Sequence, residues 1–295
     1  VKVRSNKIAL FVVLSVAYSW FVLLLFLWMG GEWNTPFAYP VAILYMFGPA
    51  AAAVTVQKAF GDRIAAPLGL IFAPNRWFIA AWLLPIALAL AAQGAALLLP
   101  GVEFTPDMHG LIQYMGQMLP EDQAHLVSEQ LEQLPLSPAL WLLVQAMLLG
   151  PTVNAVVALG EELGWRGFMQ HELRFLGFWH SSFIVGLVWG IWHAPIILQG
   201  HNYPEHPTAG VFMMIVLTLL FSPLFTYVTA KSGSVLAAAV LHGTFNASVG
   251  LGRMFIAGGT DLTVGSTGLA GIIALAAANG CLVIYDRYFS AESIT

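Results

Sequence analysis

Residues 8–29 read IALFVVLSVAYSWFVLLLFLWM, a run without a single charged side chain. A helix needs about 20 mostly apolar residues to cross hydrocarbon, so this stretch sets the fold class. Lys2, Arg4 and Lys7 precede it, as in a secretory signal. The run is too long for such a core, however, and no small-residue cleavage site follows. It is expected to stay attached as a first transmembrane helix.

The same pattern repeats along the chain. Further apolar blocks fall at about 38–57, 77–99, 139–162, 180–199, 210–230, 234–256 and 265–285. Glycine, proline, asparagine and charge collect between them, for example at Gly61-Asp62-Arg63, Pro74-Asn75-Arg76, His201-Asn202-Tyr203-Pro204 and Lys231-Ser232-Gly233. Of 295 residues, 59% are hydrophobic and 9% charged, against about 25% charged in soluble domains. The prediction is an all-α polytopic membrane protein of about eight spans, with 1–295 forming one membrane domain and no internal repeat. No basic patch suggests nucleic acid. Cys281, the single cysteine, rules out an internal disulfide framework and a cysteine metal site, and is expected to be a small buried hydrophobe.

Charge orients the stack. With a cytoplasmic N-terminus, Lys2, Arg4, Lys7, Lys58, Arg63, Arg76, Arg166, Arg174, Lys231 and Arg287 fall on the inner side, and only Arg253 lies outside. This positive-inside bias predicts an even number of spans and two cytoplasmic termini. The longest break, about 101–138, is acidic and on the outer side. Leu126, Leu131 and Leu134 there are compatible with an amphipathic surface helix, a cap or a lid.

Ionisable residues inside spans cost roughly 2.5–3.5 kcal/mol on insertion scales, so they normally face a cavity and serve a function. Here they gather in the second half: Glu161-Glu162 with Arg166, then His193, then His242 with Asn246. Adjacent helical residues diverge by about 100°, so Glu161 and Glu162 cannot face one partner. Glu162 and Arg166 are spaced i,i+4 for an ion pair, which leaves Glu161 free for general-base work in a dry pocket. Trp189 shares a helical face with His193, and Pro195 should kink or end that helix. His242 and Asn246 project from one face with Gly243 between them, and two neutral donors there suit a developing oxyanion. The bland alternatives are a structural ion-pair network and an interhelical polar clamp, the latter worth about 0.6 kcal/mol per bond. Three clusters on three spans favour a functional site.

Glu161-Glu162-Leu163-Gly164-Trp165-Arg166-Gly167, then Trp189-x-x-x-His193, then His242-x-x-x-Asn246, resembles the CPBP (Abi) intramembrane proteases, which include the type II CAAX prenyl endopeptidases. The resemblance covers about 139–250. It implies that Glu161 activates water together with His193, that Glu162 pairs with Arg166, and that His242 and Asn246 form the oxyanion hole. Trp189 stands where the family often has Phe. The implied substrate is a membrane-associated polypeptide, CAAX-like and prenylated in the eukaryotic branch, with membrane lipid around it. A prokaryotic plasma membrane is the expected location. Both a metalloprotease and a metal-independent glutamate mechanism have been argued for the family. Glu161, His193 and His242 would be an adequate zinc ligand set, but asparagine is a poor one, and the preferred reading has no cofactor.

Other protease patterns are incomplete. His171-Glu172-Leu173-Arg174 lacks the second histidine, because position 175 is Phe. Gly61-Asp62 is an isolated pair, and Ser234 lacks the glycine pattern expected of a serine–histidine dyad. The remaining alternatives are a non-catalytic membrane binding or immunity protein and a proton or cation transporter. The transporter reading is weakened because polar residues occupy one half of the chain only.

Overall fold

A computed structural model describes residues 2–33, 35–64, 68–108, 112 and 137–295. Among the described residues, seven helical runs are long and apolar enough to cross a membrane. Six of these are α1 (Lys2–Trp28), α2 (Ala38–Ala59), α3 (Arg76–Ala96), α4 (Pro138–Leu176), α6 (Pro207–Ser232) and α8 (Leu269–Tyr288). The seventh, α7 (Val235–Ser248), continues as a tighter turn to Arg253. The eighth apolar helix, α5 (Phe178–Trp192), has 15 residues. A further turn follows over Ala194–Ile197 with Pro195 near its start, and the break between the two falls beside this proline, as the sequence predicts.

Contacts between helix ends sort the loops onto two faces. On one, Lys7 pairs with Asp62, the Gly69 carbonyl accepts from the Val235 amide at 3.1 Å, and Asn75 Nδ2 donates to the Ser232 carbonyl at 3.0 Å. Lys231 meets Asp286 on the same face at 3.7 Å. On the other, Trp33 packs edge-on against His201 and the Tyr203 hydroxyl donates to the Thr267 carbonyl at 2.7 Å. There β1 (Val102–Phe104) pairs antiparallel with β2 (Ile256–Gly258). The start of α1 and the end of α8 therefore share a face, which carries most of the basic residues. The surface helix expected within 101–138 falls largely outside the described residues.

Two features differ from the sequence reading. The fourth span does not stop at 162; the run continues through Leu163–Met169, a stretch of π-helix, to Leu176. Cys281 is exposed rather than buried, because its side of α8 faces outward.

Association of helices in lipid relies on close packing rather than on hydrophobic transfer, so small residues mark the contacts. A side chain on Gly160 or Gly164 would strike the α2 backbone, at Met46 O and the Pro49 carbonyl (2.9 and 2.8 Å). Gly186 and Gly190 play the same part between α5 and α6. Gly243 lets α7 touch α4: an added Cβ would lie 2.3 Å from the Ala155 nitrogen and 2.5 Å from the Gly150 oxygen. Gly243→Ala is therefore expected to push the two helices apart, at a cost of about 1–3 kcal/mol. Thermal unfolding in detergent should show a clear fall, and an unchanged midpoint would refute this contact.

Candidate active site

Glu161 and Glu162 lie between two π-helical stretches of α4, Gly150–Asn154 and Leu163–Met169. Such distortions recur at functional sites because they rotate the side chains that follow. Both carboxylates are buried, and they diverge as the helical geometry requires. Glu161 turns toward α5, where its Oε2 accepts from the Trp189 indole at 2.7 Å and from the Trp165 indole at 3.4 Å. Its Oε1 has no hydrogen bond among the described residues.

Glu162 turns toward α7. It pairs with Arg166 Nη1 at 3.2 Å and with His242 Nδ1 at 2.7 Å. The spacing read from the sequence gives the first contact. The second joins residues 80 positions apart, and it ties His242 into the ion-pair network instead of leaving both ring nitrogens for substrate. Only Nε2 of His242 can face a reacting group.

Arg166 does not belong among the inner-surface charges, where the charge count places it. It is 3% exposed, and its guanidinium lies between the rings of Trp189 and Phe225, at 4.4 and 4.1 Å from their centroids. Its Nε and Nη2 make no hydrogen bond among the described residues. The two π faces provide the compensating negative potential in a site without bulk water.

His193 caps α5. Its Nδ1 lies 2.8 Å from the Trp189 carbonyl. A carbonyl can only accept, so Nδ1 carries the proton and Nε2 keeps its lone pair. The end of α5 is itself anchored, because the Trp192 carbonyl accepts from the Trp20 indole at 3.1 Å and from the Tyr45 hydroxyl. Trp189 thus does more than the packing role given by its spacing. Its indole fixes Glu161, its carbonyl fixes His193, and its ring covers Arg166 and lies 5.5 Å from the His242 ring.

Asn246 lies one turn beyond His242, exposed, with no hydrogen bond among the described residues. Val235 marks the basic face, so at about 1.5 Å per residue His242 and Asn246 lie roughly 10 and 16 Å below it. Hydrocarbon is about 30 Å thick, which places these groups in the half nearer that face, reaching its middle.

The donor set does not fit a ready-made zinc site. Glu161, His193 and His242 do not bring one ligand atom each within 4.8 Å of one another. Among the described residues, the group that does is Glu205, His206 and Asp261 on the opposite face. Asp261 is already committed there, to the Glu205 and His206 amides and the His206 ring.

Trp165, Tyr45, Trp20 and Phe225 escape a reading of the sequence. Trp165 stands i,i+4 from Glu161, as Arg166 does from Glu162, and that spacing could have revealed it. Tyr45 comes from another helix, and nothing in its surroundings announces it.

Residues 137–248 match the family model described as type II CAAX prenyl endopeptidase Rce1-like. No curated protein matches the chain. The matched stretch starts at the cap of α4, ends with α7 and holds every candidate site residue, so the site-bearing part of this chain is similar to the Rce1-like type II CAAX prenyl endopeptidases.

Proposed function

We propose that the protein is an intramembrane endopeptidase in which Glu161 and His193 activate a water. The observation that carries this reading is that Trp189 holds both groups, one through its indole and one through its carbonyl. The atoms left unengaged are Glu161 Oε1 and His193 Nε2, both acceptors when Glu161 is ionised. A water between them would give its proton to Glu161 as its oxygen attacks the scissile carbonyl. His242 Nε2 and the Asn246 amide would donate to the resulting oxyanion, with Glu162 as counter-charge for a doubly protonated His242. Glu161 would then return the proton to the leaving amine, which restores the resting site. Glu162, Arg166 and Trp189 act as positioning residues. No metal enters these steps.

The substrate is a membrane-associated polypeptide, prenylated and CAAX-like by analogy with the family. The basic face is read as cytoplasmic by the positive-inside rule, and substrate reaches the site from that side.

Glu161→Gln is expected to abolish cleavage of a prenylated CAAX reporter peptide while leaving membrane insertion and thermal stability intact. Disappearance of the inserted protein would favour a purely structural ion network. Strong chelators should leave the wild-type rate unchanged, and rescue of a chelated enzyme by Zn²⁺ would overturn the metal-free mechanism.

Trp189→Phe keeps the ring and the backbone carbonyl but removes the indole donor to Glu161. A hydrogen bond to a charged group contributes about 1.5–3 kcal/mol, so kcat should fall by roughly 10–100-fold. An undiminished kcat would show that this bond does not position the base.

Asn246→Ala should lower kcat by about 10²–10³, the usual effect of losing one oxyanion donor. Single-turnover measurements at saturating substrate would test this, and a wild-type rate would remove Asn246 from the mechanism.

A further inference from the structure

On the side of α6 away from Glu161, helices α3, α6 and α8 leave a groove of about 740 Å³. Its walls come from sequence. Ala80, Ala87 and Ala91 on α3 face Ala274, Ala277 and Ala278 on α8, and short side chains at these crossings cannot fill the space between the helices. Cys281, exposed on α8, also lines it.

One end of the groove differs from the rest. Arg76 lies there, exposed, stacked on Trp77 with the guanidinium carbon 5.4 Å from the ring centroid. It makes no ion pair among the described residues. Trp77 packs edge-on against Tyr227 and Tyr285, at 5.3 and 6.0 Å. Tryptophan and tyrosine grouped around a cation mark the headgroup level of a membrane. Arg76 follows Asn75, whose side chain binds Ser232 on the basic face. From Arg76 to Ala91 the groove descends about 22 Å along α3, enough for an acyl chain crossing a half-bilayer of about 15 Å.

We propose that this groove binds one anionic phospholipid of the leaflet at the basic face, its phosphate on Arg76 and an acyl chain along the alanine-lined wall. The charge selects the headgroup: the uncompensated guanidinium at the mouth complements a phosphate in a net-negative lipid, and a zwitterionic lipid brings its own cation to the same place. The lining holds no other charged side chain.

Native mass spectrometry of the full chain, released from detergent with equal amounts of phosphatidylglycerol and phosphatidylcholine of identical acyl chains, tests this. The wild type should retain one phosphatidylglycerol with several-fold preference. Arg76→Gln should reduce that preference to none, and Ala278→Trp, which fills the groove, should lower retention of both lipids. Maleimide labelling of Cys281 should be slowed several-fold by phosphatidylglycerol in the wild type but not in Arg76→Gln. Equal retention of the two lipids, or adducts unaffected by both substitutions, would overturn the proposal. So would a dimer in which Cys281 is shielded without added lipid, since a second copy would then occupy the groove. Neither variant touches Glu161 or its partners, so these outcomes are independent of the peptidase reading.

Discussion

The Glu162 carboxylate, held between Arg166 on its own helix and His242 on α7, is the interaction on which the rest of the site depends. In a medium of low dielectric an unpaired ion costs several kcal/mol, so each member of this group requires the others. The pairing also crosses between helices, which makes it a positional constraint. Glu162 and His242 can meet only because Gly243 allows α7 to approach α4. Arginine suits its place better than lysine would, since a planar guanidinium can pair along its edge while its faces stack on Trp189 and Phe225.

With Glu162 committed to that network, the neighbouring carboxylate points about 100° away, where the Trp189 indole receives it. A single rigid residue then sets two separations at once, from indole to Glu161 and from carbonyl to His193. Shared anchoring of this kind gives preorganisation at small entropic cost, because a tryptophan already packed against Phe221 and Phe225 has no rotamer freedom left to lose. The π-helical stretches on either side of Glu161-Glu162 belong to the same arrangement, since they adjust where the helix aims these side chains.

The same packing rule explains where the molecule is sealed and where it is open. Where glycines face a neighbouring backbone, as at Gly160, Gly164, Gly186 and Gly190, helices touch and the interior closes around the charges. Where short side chains of α3 and α8 meet α6, a groove remains at the surface.

The sequence by itself determined the all-α membrane fold and the position of its apolar segments, of which seven are long enough to span and Phe178–Trp192 is shorter. These follow from length, hydropathy and charge, which act locally along the chain. It also determined the Glu162–Arg166 pair and the divergence of Glu161, since both are properties of one helix. The extension of α4 to Leu176 was not legible, because Glu161, Glu162 and Arg166 break the apolar run that hydropathy follows. The burial of Arg166 and the exposure of Cys281 were hidden for a related reason: hydropathy identifies a span but not which of its sides meets another helix. Only the tertiary structure decided that His242 binds Glu162, that Trp189 serves both Glu161 and His193, and that Trp20 and Tyr45 anchor the end of α5. Those contacts join residues on different helices, and their partners are chosen by how the helices cross, which no spacing within one segment records.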